Sequence, residues 1–109
     1  MTDYDANIAA LRKLCSGAEL WQEGEKPLVF LPGLSVTSAG QTVEVDALLC
    51  PRERDSYLTR LYFSQQLPVA RNWGVTTIKA RTWYAISWQG VPADVSWLEI
   101  LAMHLEAVK

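Results

Sequence analysis

The stretch from Val43 to Leu49 constrains the fold most: Val43, Val45, Ala47 and Leu49 alternate with Glu44 and Asp46. A two-residue period sends alternate side chains to opposite faces of an extended chain, so a half-buried β-strand is predicted. Leu48 breaks the polar side, which predicts a second face that is partly covered near Cys50. After the charged connector Pro51-Arg52-Glu53-Arg54-Asp55-Ser56, Tyr57, Thr59, Leu61 and Phe63 alternate with Leu58, Arg60 and Tyr62. Two such strands joined by a polar connector predict an antiparallel hairpin.

The flanking segments extend this pattern. Ile8, Leu11, Leu14 and Cys15 recur at helical steps, with Asp3 or Asp5 as a cap and Ser16-Gly17 as the stop, so the chain opens on an amphipathic helix. Glu19-Leu20-Trp21-Gln22 predicts a short strand closed by a break at Glu23-Gly24-Glu25-Lys26. Leu28 to Leu31, bounded by Pro27 and Pro32, predicts an edge strand or an early bend. Ser38-Ala39-Gly40-Gln41 predicts a turn, and Asn72-Trp73-Gly74 a loop. Val75 to Trp88 is rich in β-formers and is taken as a strand. Near the C-terminus, Ser96-Trp97-Leu98-Glu99 forms a capping box, with Val95 and Ile100 placed as a hydrophobic staple. The fold class expected is α+β: an N-terminal helix, an antiparallel meander of about four strands and a C-terminal helix, all in one domain spanning residues 1–109.

Composition narrows the function. Ten basic and twelve acidic residues give a net charge of −2 with no basic block, which argues against nucleic-acid binding. No apolar run reaches the ~20 residues that span a bilayer, and the acidic start lacks signal-peptide order, so no membrane association and a cytoplasmic location are expected. Cys15 and Cys50 have no metal-ligand spacing, and no cofactor or metal is expected.

Candidate chemistry is sparse. His104 is the single histidine, taken as a partly exposed helix residue, and no G-x-S-x-G pattern accompanies it. Cys15 falls on the apolar side of the first helix and reads as packing. Cys50 stands beside Arg52 and Arg54, and nearby positive charge favours a reactive thiolate. No paired carboxylates and no phosphate-cradling glycine loop are recognisable. In Arg81-Thr82-Trp83-Tyr84-Ala85-Ile86-Ser87-Trp88, Trp83 points to one face with Ala85 and Ser87, and Tyr84, Ile86 and Trp88 point to the other. Rings on both faces need cover from a helix or a partner. Trp83, Tyr84 and Trp88 are therefore candidate binding residues.

Leu48-Leu49-Cys50-Pro51, the polar connector, Tyr57, Leu61-Tyr62-Phe63 and Leu67-Pro68 resemble the central hairpin of ubiquitin-conjugating enzymes. Trp88, Pro92 and the helix from Ser96 follow in that family's order. The closing run SWQGVPADVSWLEILAMHLEAV is similar to small bacterial proteins of this type, which are implied to sit beside genes for a ubiquitin-like protein and an activating enzyme. The resemblance implies a shortened conjugating-enzyme fold, with those two proteins as partners. The family's catalytic cysteine follows His-Pro-Asn shortly before the Trp. The matching window, Ala80 to Trp83, holds neither, and Cys50 instead matches the glycine of the hairpin. Thr82 offers only an unactivated hydroxyl there.

Three functions are thus expected to compete. The first is a conjugating-enzyme-like domain that binds a ubiquitin-like protein and/or its activating enzyme. The second is an active transferase with a non-standard nucleophile, Cys50. The third is an unrelated small α+β interaction or immunity protein.

Overall fold

The computed structural model describes residues 4–23, 26–54 and 56–109. Asp3 as a cap, Gly24 and Glu25 in the first break, and Asp55 in the connector lie outside them. In chain order the elements are α1 (Tyr4–Arg12), β1 (Glu19–Glu23), β2 (Lys26–Ser38), β3 (Gln41–Cys50), β4 (Arg60–Phe63), β5 (Trp73–Ile78), β6 (Arg81–Ile86) and α2 (Trp97–Glu106). The class is α+β. The strands form one antiparallel sheet in the order β1-β2-β3-β4-β6-β5, six strands where about four were expected.

The strands depart from expectation in two places. The Val75–Trp88 segment is a hairpin, not one strand: β5 and β6 pair from Trp73↔Ile86 to Ile78↔Arg81 across Lys79-Ala80. Both turn residues have positive φ, 55° and 61°, as a two-residue type I′ turn requires. Neither is the Asn or Gly that usually announces such a turn, so the sequence hides it. Trp73 accordingly begins β5 and is not in a loop. The second change is at β2, which lies between β1 and β3 and runs to Ser38, well past Leu31. The register slips between Leu31 and Leu34, where Pro32 and Gly33 (φ 62°) form a bulge. A bulge accommodates the missing proline donor and bends the strand, so the strand continues instead of stopping.

Alternation assigns each face. On one face Val29, Leu31, Val45, Ala47, Leu49, Leu61, Phe63 and Ile86 meet Ile8 and Leu11 of α1 and Trp97, Ile100 and Leu101 of α2. We call this the helix face. The Ser96 hydroxyl accepts from the Glu99 amide (3.2 Å), as the capping box predicts, and Asn7 Oδ1 of α1 accepts from the Trp97 amide (3.1 Å). α1 therefore caps α2 and packs on it, with the Tyr4 and Trp97 rings 5.0 Å apart. Leu14 departs from the expected stripe. The helix ends at Arg12, and Leu14 is 60% exposed while Cys15 turns inward.

Among the described residues no helix packs on the back face, yet Leu28, Leu48, Cys50, Tyr62, Ile78, Trp83 and Ala85 are buried there. Its cover is made of strand side chains. Trp21 stacks on Phe30 (4.6 Å between centroids), and Phe30 meets Trp83 edge-on (6.3 Å). The Arg81 guanidinium lies 4.7 Å from the Trp83 ring centre and is held by Asp46 at 2.6 Å. Arg54 and Arg60 lie over Tyr62 in the same way. Long cationic side chains shield apolar surface with their stems while keeping the charge wet. No described helix is long and apolar enough to cross a membrane.

Candidate functional site

The aromatic candidates separate. Trp83 is completely buried on the back face, and its indole N–H donates to Ile78 O (3.2 Å). It is core and presents nothing to a partner. Tyr84 lies on the helix face, half-buried, opposite Val75. Trp88 is half-buried against the helix-face core, with the Arg71 guanidinium 5.3 Å from its ring centre and Arg71 Nε bonded to Ala107 O. The predicted division of rings between the two faces is what the structure has: Trp83 and Ala85 on one side, Ile86 and Trp88 on the other.

Neither thiol is presented. Cys15 is 6% exposed on the helix face and its Sγ donates to Pro32 O (3.1 Å). Burial pushes the Cys15 thiol upward, against a lowering contribution from the Gly17 amide. Cys50 is 2% exposed in the back-face cluster, opposite Arg60 in the register. A nucleophile must reach its substrate as a thiolate, and burial opposes both access and ionisation.

His104 differs from its expected position: it is buried, not partly exposed. Its Nε2 lies 2.9 Å from Thr59 Oγ1, whose hydroxyl donates to Val91 O (3.0 Å). The single hydroxyl proton is then committed, so Thr59 accepts from Nε2–H, which places a ring proton on Nε2. Burial, helped by the Arg60 charge, lowers the His104 pKa to about 4. This group fastens α2 to the chain before β4 and to the segment before the helix.

The candidate contact surface is the outer edge of β5, the last strand of the sheet. Among the described residues β5 pairs with β6 alone, so its other side presents unpaired backbone groups. Its sequence, WGVTTI, has no charge and no proline, and Val75 is 66% exposed. Edge strands are normally blunted by charge, proline or a bulge, and β5 has none of these within its length. The opposite edge, β1, begins and ends with glutamate. Tyr84 flanks the β5 edge on the helix face. On the back face a cavity of about 160 Å³ opens beside it, lined by Arg60, Tyr62, Gly74, Val75, Thr76 and Ala85. A Cβ at Gly74 would stand 3.7 Å from Ala85 O and 4.0 Å from Arg60 Nη2, at ordinary contact distance. The Arg60 guanidinium itself rests 4.1 Å from the Tyr57 ring centre.

Sequence reasoning found Tyr84 but missed Val75, Gly74 and Arg60. Their importance depends on β5 being an edge, and that follows from the hidden Lys79-Ala80 turn. Comparison with protein families, with curated proteins and with solved structures finds no match to this chain.

Proposed function

We propose that this protein is a docking domain of a bacterial ubiquitin-like conjugation pathway, binding a ubiquitin-like protein and/or its activating enzyme without thiol chemistry of its own. The observation that carries the docking reading is the open, uncharged β5 edge beside Tyr84. Burial of both cysteines supports binding over transfer. The pathway rests on the family resemblance. The adjacent β1–β4 meander between an N-terminal and a C-terminal helix is compatible with a conjugating-enzyme-like fold. The window that would hold the catalytic cysteine, Ala80 to Trp83, falls on the β5–β6 turn and the start of β6.

The test is titration calorimetry of the chain with a ubiquitin-like protein and with an activating enzyme of such a pathway. The docking reading expects saturable binding to at least one of them, kept in the Cys15→Ser/Cys50→Ser variant. Absence of binding to both, or loss of binding in a folded double variant, would count against it.

A further inference from the structure

We propose that two copies of the chain pair antiparallel through β5, about a two-fold axis at Val75, into one continuous sheet. The dimer occupies the edge used in the docking reading; its competition with a docked partner rests on that reading, and the pairing itself does not.

Hydrogen-bond phase decides which groups the edge offers. Ser87 N donates to Asn72 O (3.2 Å), which makes Asn72 and Ser87 a bonded pair at the end of the β5–β6 ladder. Bonded and non-bonded pairs alternate in an antiparallel ladder, so Gly74, Thr76 and Ile78 also bond to β6. Trp73, Val75 and Thr77 therefore turn their N–H and C=O outward. Among the described residues nothing bonds these backbone groups.

This spacing matches itself. With Val75 opposite Val75 of the second copy, Trp73 falls opposite Thr77 and Thr77 opposite Trp73. Every outward donor then meets an outward acceptor, two bonds to each pair. A register slipped by two residues instead sets Trp73 against Lys79 of the turn, or Thr77 against Arg71.

The side chains agree with that register. Val75 is 66% exposed on the helix face, beside half-buried Tyr84 of β6. In the dimer the two Val75 side chains meet, and a row of Tyr84, Val75, Val75 and Tyr84 crosses the seam. Aromatic and β-branched neighbours stabilise such cross-strand contacts.

Charge selects the same edge. β5 carries none, whereas β1 has a glutamate at each end. Antiparallel self-pairing of β1 sets residue 19 opposite residue 23, like charge against like, which is destabilising. Arg71 and Lys79 flank β5 and approach each other at both ends of the seam. Arg71 is drawn aside by Ala107 O and the Trp88 ring. Salt screens this residual repulsion and strengthens the dimer, but it weakens pairing of β5 with an acidic strand from another protein. One six-residue seam falls below the ~1,200 Å² of a stable interface, so the dimer is weak and reversible.

Sedimentation equilibrium of the full chain from about 10 μM to about 1 mM, at low and high salt, reads the association. Val75→Lys and Val75→Glu, checked for folding by circular dichroism, are run singly and as an equimolar mixture. The expected result is a reversible dimer of the parent chain that tightens with salt. Each variant alone should associate about ten-fold or more weakly, because two like charges meet on the axis. The mixture should recover the dimer, since lysine meets glutamate only where position 75 faces position 75. Amide exchange at Trp73, Val75 and Thr77 should slow as concentration rises, with Gly74 and Thr76 unchanged.

A parent chain still monomeric at about 1 mM, a dimer indifferent to Val75→Lys, a mixture that fails to pair, or association weakened by salt would each overturn the proposal. A monomeric chain whose β5 amides shift on adding a ubiquitin-like protein or an activating enzyme would overturn it and leave the docking reading in place. A dimer through Val75 that neither protein binds or dissociates would remove the docking reading alone.

Discussion

Asp46 and Arg81 join two irregularities of the sheet with one carboxylate. Asp46 Oδ2 meets Arg81 Nη2 at 2.6 Å, just after the β5–β6 turn, while Oδ1 accepts from the Gly33 amide (2.8 Å) in the β2 bulge. Both contacts hold the Asp46 carboxyl below its ordinary range, the Arg81 hydrogen bond contributing most. The same guanidinium covers Trp83, so this pair keeps the back face closed where no helix reaches.

Removing either partner should therefore loosen the sheet unequally. Asp46→Ala loses the ion pair and strands the bulge amide, whereas Arg81→Ala loses the pair and the ring cover. Because both side chains are partly exposed, the pair itself contributes about 1 kcal/mol or less. The bulge hydrogen bond adds about 1 kcal/mol to the cost of Asp46→Ala. Urea unfolding of the two single variants and the double variant should show Asp46→Ala as the costlier hydrogen-bond loss, with measurable coupling between the sites.

Trp83 and Tyr84 are neighbours in sequence with opposite roles. Trp83→Ala should cost about 3–5 kcal/mol, the range for a fully buried large ring. Tyr84→Ala should cost much less and should weaken partner binding. Thermal unfolding paired with calorimetry separates the two effects. Equal stability losses at both positions would contradict the assignment of faces.

The Lys79-Ala80 turn stores backbone strain, since two non-glycine residues occupy the left-handed region. Lys79→Asn with Ala80→Gly supplies the residues a type I′ turn prefers, and about 1 kcal/mol of stabilisation is expected after the entropy cost of the added glycine. For a domain near this size that is a rise in Tm of about 4–8 °C.

His104 sets an acid limit on stability. Its folded pKa, about 4, lies below the ordinary value of 6.5. Between these values the unfolded chain binds the proton more readily than the folded one, so stability falls as pH drops through that window. The full loss is at most about 3 kcal/mol by linkage. Asp46, whose carboxyl is also depressed, adds to the loss at the acid end as it protonates. His104→Gln should flatten the profile between pH 4 and 6.5, measured by urea midpoints across that range.

The parts of this molecule legible in sequence are those carried by strict local signals. The β3 alternation, the Ala39-Gly40 turn and the Ser96 cap each combine the right residues with the right period, and each forms as expected. What sequence hid depends on long-range geometry. Pro27 and Pro32 suggest an edge or an early bend; β2 lies inside the sheet, and Gly33 with the Asp46 carboxylate across the strand makes the bend a bulge. Lys79-Ala80 reads as strand because its conformation is imposed by the pairing on either side. His104 is buried by Thr59, which is 45 residues distant along the chain. Cover for Trp83 comes from Phe30 of β2 and Arg81, so Trp83 reads as a surface candidate although it is core.

The central claim, docking without thiol transfer, is tested most directly by mixing the chain with an activating enzyme, ATP and a ubiquitin-like protein of the proposed pathway. Products are resolved with and without reductant, beside native mass spectrometry. The account predicts a non-covalent complex of intact chains and no reductant-sensitive adduct, unchanged by Cys50→Ser. A reductant-sensitive adduct that disappears with Cys50→Ser would contradict it.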